Sequence, residues 1–253
     1  MRFLTGEAAA VIGSTLLLAD AHLGIEFAFR ARGIFVPLQH KRVARRVAAL
    51  AGKHSCDEIV VIGDCKHDVF GFEIQEKRMM REFLAELRKA NPRLRSFAVV
   101  KGNHDSQLDE LSSEDFAFKV IPPKGLVLNG EGGASYGVFH GHAWPSENVL
   151  RADRLLCAHL HPLLEIGDKA GSWRVPVWLV GAVKQSKKFG TLKRECVVFP
   201  AFGALSGGTV VNARRARLIG ILFENELFDL AKARAFSLDG ACLGKIKARK
   251  TKQ

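Results

Sequence analysis

No stretch of this 253-residue chain approaches the roughly 20 consecutive apolar residues that a membrane-crossing helix needs. The nearest signal-like segment, 8–21, follows Glu7, is interrupted by Gly13 and Ser14, and contains Asp20. No membrane partner is expected. Cysteine is sparse: positions 56, 65, 157, 196 and 242 are odd in number, widely spaced and never C-x-x-C. That argues against a disulfide framework and for reduced thiols in a cytoplasm, each serving as a small buried hydrophobe. Acid is scarce too, with 26 Asp+Glu against 38 Lys+Arg, a formal net charge of +12. The 47% hydrophobic content fits a globular protein and excludes a disordered or collagen-like one. Internal repeats and linkers are also missing, so one domain over 1–240 is expected, followed by a flexible basic tail over 241–253.

The positive surplus is uneven. Lys245, Lys247, Arg249, Lys250 and Lys252 supply five of the twelve excess charges. Further groups are Lys41, Arg42, Arg45 and Arg46, then Lys184, Lys187, Lys188, Lys193 and Arg194, then Arg214, Arg215 and Arg217. Such clusters attract polyanions, because neutralising phosphates releases counterions. A solvated basic surface explains the charge equally well.

Strand and helix signals alternate. Short apolar runs at 15–19, 58–62, 97–100, 136–139 and 155–158 have the length of buried strands. Pro37 can open a helix whose apolar face carries Val43, Val47 and Leu50, ended by Gly52. A second helix is predicted over 73–90, stopped by Asn91-Pro92. Beyond 165 the segments 174–180, 196–199 and 218–223 read as β.

A polar motif follows each of the first five strands: Asp20-Ala21-His22, Gly63-Asp64, Gly102-Asn103-His104-Asp105, His140-Gly141-His142 and His159-Leu160-His161. Ligands of open α/β sheets bind beyond the carboxyl ends of strands, so five such loops can converge on one site. Their carboxylates, carboxamide and imidazoles suit Mn²⁺, Fe or Zn²⁺. Seven such donors are too many for one tetrahedral ion and fit two divalent ions sharing a carboxylate. Elsewhere Phe27, Phe29, Arg30, Arg32 and Phe35 mix rings and cations in a way that suits stacked bases and gripped phosphates. An ordinary packed loop has the same look.

In order and spacing, the motifs across 15–161 resemble the calcineurin-like metallophosphoesterase superfamily. The likeness implies an α/β fold, a four-layer sandwich of two mixed β-sheets flanked by α-helices. It also implies that Asp20, His22 and His161 hold one metal ion and Asn103, His140 and His159 the other, with Asp64 bridging. His104 would stand beside the scissile phosphate. The stretches L-A-D-A-H-L-G-I-E, G-D-C-K-H-D-V-F-G and P-A-F-G-A-L-S-G-G, the last at 200–208, resemble a narrower branch of DNA-ligase-associated bacterial and archaeal phosphoesterases. Many superfamily members carry G-D-x-x-D, whose second Asp orients the catalytic histidine, whereas His67 stands there in this chain. Asp68 and Asp105 are both candidates for that orienting role.

The expected protein is thus a dinuclear phosphoesterase with two divalent ions, Mn²⁺ first and Zn²⁺ or Fe as alternatives. The catalytic set is His104, Asp64 and Asp105. Its substrate is a phosphoester, DNA, RNA or a nucleotide-derived diester cleaved by metal-activated water. A small-molecule phosphatase or cyclic-nucleotide phosphodiesterase is the alternative, and a non-catalytic nucleic-acid binder a third reading. The oligomeric state is left open, a homodimer included.

Overall fold

The structure is a computed structural model that describes residues 1–69, 71–111, 117–167, 171–184 and 194–247. Lys187, Lys188, Lys193, Arg249, Lys250 and Lys252 lie outside the described residues.

The first sheet has six strands in chain order: β1 (Arg2–Phe3), β2 (Ala9–Ile12), β3 (Thr15–Leu18), β4 (Glu58–Ile62), β5 (Ser96–Val100) and β6 (Ala117–Ile121). β1 to β3 run antiparallel, and β3 to β6 run parallel. The crossovers carry α1 (Ile25–Ala31), α2 (His40–Lys53) and α3 (Ile74–Ala90). The segment 8–21 is thus largely the β2–β3 hairpin, turned at Gly13 with φ 55°.

The second sheet comprises β7 (Leu126–Asn129), β8 (Ser135–Val138), β9 (Arg154–Cys157), β10 (Pro162–Gly167), β11 (Ser172–Val183), β12 (Arg194–Val198), β13 (Thr209–Val210), β14 (Arg234–Ser237) and β15 (Cys242–Lys245). Its main path is β13-β10-β11-β12-β9-β8-β7, with β14 pairing β11 and β15 pairing β14. Two short helices, α4 (Glu147–Arg151) and α5 (Ile221–Glu224), belong to this half.

Side-chain alternation explains how the strands read as continuous apolar runs. Ile59 and Val61 of β4 face the helix-covered core with Leu16, Leu18, Phe97 and Val99, while Val60 and Ile62 face the second sheet. Across the gap Leu156, Ala158, Val197 and Phe199 meet them, and Leu155, Cys157, Cys196 and Val198 point to a third core shared with α5. The central strands of both sheets are therefore buried on both faces, as in the expected four-layer sandwich.

Two expectations fail. Residues 218–223 do not form a strand. Gly220 adopts φ 96°, and the run continues into α5, where Ile221, Leu222 and Phe223 pack into the third core. A short buried apolar run carries no helix-or-strand signature of its own. The tail does not begin at 241, because β15 pairs with β14 and places Ile246 in the core. The basic surplus also needs revision at α2, where Lys41 pairs with Glu82 at 3.1 Å, Arg45 with Glu86 at 2.6 Å, and Arg46 with Glu7. Those cations are partly neutralised within the chain. Among the described residues no helix is long and apolar enough to cross a membrane.

Candidate metal centre

The strand register sets the carboxyl ends of β3, β4 and β5 level, with Leu18 opposite Val61 and Ile62 opposite Val100. In the second sheet Val138, Leu156 and Val197 are likewise aligned. The five motif loops therefore leave the two sheets at one edge and meet.

Two groups of donors arise there, and Asp64 belongs to both. Asp20, His22, Asp64 and His161 offer ligand atoms within 4.8 Å of one another, as do Asp64, His140 and His159. His161 Nε2 lies 3.3 Å from Asp20 Oδ1, His22 Nε2 3.8 Å from Asp64 Oδ2, and His140 Nε2 3.5 Å from the same oxygen. Asn103 Oδ1 is buried without a hydrogen-bond partner. An orphaned buried carbonyl costs free energy unless something electropositive meets it, which suits a divalent ion in the second group. The seven expected residues thus fit two cations with oxygen and nitrogen donors alone.

The loops are held in conformations that cost energy. Asp20, His22, Asp64, His159 and His161 all have φ between 45° and 70°, the left-handed region that such side chains seldom occupy. Close approach adds a second constraint. A Cβ on Gly102 would stand 2.0 Å from Asp64 Oδ1, and one on Gly63 would stand 2.3 Å from the His140 ring. Only glycine leaves the shared carboxylate its place.

Main-chain bonds orient the ligands. His104 N donates to Asp64 Oδ1 at 2.9 Å, and His159 N to Asp20 Oδ2 at 3.2 Å. His140 turns Nε2 toward the carboxylates, and its Nδ1 lies 2.9 Å from His142 Nδ1, giving His142 an orienting position. The 200–208 stretch, noted in the sequence only as a likeness, supports the first motif loop: Phe202 N donates to Ala19 O and Gly203 N to Asp20 O.

Asp105 does not orient His104. Its Oδ1 accepts Cys65 N at 2.9 Å and Lys66 N at 3.2 Å, while Oδ2 accepts Gly102 N at 2.8 Å. It ties the second and third loops together by their backbones. His104 Nδ1 instead bonds the main-chain carbonyl of His67, leaving Nε2 3.9 Å from Asp64 Oδ2. The His67 ring faces His22, Nδ1 to Nδ1, at 3.3 Å. The three rings of His22, His67 and His104 form a further group able to hold a cation. Sequence reasoning missed this role of His67; the signal was its place in G-D-x-x-H.

Burial shapes the electrostatics. It raises Asp64 to about 6, with the nearby Asp20 charge adding to the rise against His140. Burial pushes Asp20 the same way, but the His161 and His140 rings outweigh it and hold the carboxyl below the usual range. Burial lowers His22 and His159 to about 3, and His67 and His142 to about 4. Burial opposes the charge of His140 and His161 too, yet the carboxylates beside them win and both are raised. The four lowered rings keep lone pairs free at neutral pH.

The family model described as calcineurin-like phosphoesterase matches residues 13–176. Among solved structures the chain is similar to the Pseudomonas putida nuclease MPE, with 18% identity over 89% of this chain and 85% of that one and a TM-score of 0.53. It is also similar to Yfce, a phosphoesterase from E. coli, with 13% identity over 93% and 99% and a TM-score of 0.40. No curated protein matches significantly. The first of these likenesses agrees with the two-sheet architecture.

Proposed function

This chain belongs to the calcineurin-like phosphoesterase family, and we propose that it is a phosphodiesterase or nuclease acting on nucleic acid or nucleotide-derived diesters through two divalent ions. The observation that carries the proposal is the double use of Asp64, whose carboxylate lies within reach of both donor groups. Asp20, His22, Asp64 and His161 would hold one ion, and Asp64, Asn103, His140 and His159 the other. Mn²⁺ is the proposed occupant, since the donors are all oxygen or imidazole nitrogen and none is thiolate. Such ions activate water near neutral pH and neutralise charge on the phosphoryl oxygens.

The chain supplies the rest. Its His67 carbonyl fixes the Nδ1–H tautomer of His104, so Nε2 is the atom turned toward the reacting phosphate. Protonated there, it donates to the leaving or a phosphoryl oxygen. Asp64 holds the His104 main chain through the 2.9 Å bond, which links ligand geometry to the position of the donor. The surplus of basic residues supports an anionic substrate of some length.

A substrate panel tests this. With Mn²⁺, bis(p-nitrophenyl) phosphate and single-stranded DNA or RNA should be hydrolysed, p-nitrophenyl phosphate more slowly, and chelator should stop all turnover. A panel in which monoesters or cyclic nucleotides are the best substrates would overturn the diesterase reading.

A further inference from the structure

A groove of about 520 Å³ opens beside His104, within the size range of small-molecule sites, roughly 300–1,000 Å³. One wall is α1, with Phe27 and Arg30, and the other is the loop and helix start that carry His67, Asp68 and Glu76. The α1 wall is fixed in place: Gly24 precedes the helix at φ 90°, and a Cβ there would meet Met79 of α3 at 3.2 Å. Arg30 lies over two rings, 5.9 Å from the Phe27 centroid and 5.2 Å from that of Phe35.

The chemistry of the groove selects its occupant. Asp68, Glu73 and Glu76 line the groove together with the single cation of Arg30, so a second phosphate entering there meets more carboxylates than cations. A flat, neutral group with hydrogen-bond donors meets a ring, a guanidinium plane and carboxylate acceptors. Glu76 Oε2 is buried with no hydrogen-bond partner, though Lys66 Nζ approaches it at 3.9 Å. A nucleobase offers both a face to stack and amino or imino donors.

We propose that this groove receives the nucleobase attached to the scissile phosphate, so that the enzyme selects diesters of nucleosides over diesters without a base. The assignment rests on the diesterase reading above. It makes Phe27 and Arg30 specificity-determining residues that belong to none of the metal-donor groups and meet the reaction only through the substrate.

The test compares thymidine 5′-(p-nitrophenyl) phosphate with bis(p-nitrophenyl) phosphate, with Mn²⁺, in the full chain and in Phe27→Leu, Phe27→Trp and Arg30→Ala. The ratio of kcat/KM values for the two substrates should fall about tenfold in Phe27→Leu and Arg30→Ala and hold in Phe27→Trp. Calorimetric titration with dTMP, which needs no turnover, should show binding about tenfold weaker in Phe27→Leu and restored in Phe27→Trp. Equal ratios and equal dTMP affinities across the variants would overturn the groove assignment while leaving the diesterase reading intact. A wild-type chain that cleaves neither ester yet binds dTMP through Phe27 would overturn the diesterase reading and spare the groove.

Discussion

The two sheets contribute opposite halves of the metal centre. Of the seven expected donors, loops of the first bring both carboxylates, Asp20 and Asp64, together with Asn103 and one histidine, His22; loops of the second bring only imidazoles, His140, His159 and His161. Close approach constrains both: a Cβ on Gly102 or Gly63 would stand 2.0 Å or 2.3 Å from its nearest neighbour, and one on Gly208, beside the last motif loop, 2.2 Å from His161 O. The carboxylates thus sit on one side and imidazoles alone on the other, two of them, His140 and His161, raised by those carboxylates. Each proposed ion draws its donors from both halves.

The sharpest way to break that contrast is to strike the shared carboxylate. Asp64→Ala should lower diester turnover by at least about 10³-fold and reduce bound metal in both groups, as measured by elemental analysis. Gly102→Ala, which drives a methyl into Asp64 Oδ1, should approach that loss. Full turnover in Gly102→Ala would show that the close approach does not hold the shared carboxylate in place.

His67→Ala comes next. Removing the ring that faces His22 should weaken metal binding or activity by about 10–100-fold, and it should shift the visible spectrum of the Co²⁺-loaded protein. The main-chain bond to His104 survives this change, so an unaltered spectrum would confine His67 to its carbonyl.

Asp105→Ala tests the backbone tie of the first-sheet loops. It strands three main-chain N–H groups, and stability should fall by about 3 kcal/mol in urea unfolding, with or without metal. The least dramatic effect is on pH. In the metal-free protein the folded state holds His22, His67, His142 and His159 unprotonated down to about 3 or 4, while the unfolded chain protonates them near 6.5. Asp64, raised to about 6, acts the other way. Between roughly pH 4 and 6 the unfolded state therefore binds more protons, and stability should rise with pH. Urea midpoints of the metal-free protein at the two ends of that window check the sign.

The parallel strands β3, β4 and β5 and helix α3 were legible because their signals are local: β4 over 58–62 was placed to the residue, and the second helix starts one residue later than its pattern suggests. The edge strands β1, β6 and β7 were not, since short edge strands with mixed burial carry little periodicity. The seven expected donors could be read as a set because each follows a strand end, and the fold brings those strand ends together; the groups that orient them could not be read. Asp105 was one of two candidates, with Asp68, to orient His104, and its side chain turns back to the Gly102 and Cys65 amides.

The sequence by itself determined the strand ends, the donor types and the order in which the loops present them, because strand length, turn chemistry and ligand identity are local properties. Only the tertiary structure decided that a main-chain carbonyl orients His104, that Lys41, Arg45 and Arg46 of α2 are paired with glutamates, and that α1 closes a groove beside His104. Each of those depends on atoms far apart in the chain meeting within a few ångströms, which sheet pairing and packing fix and composition does not.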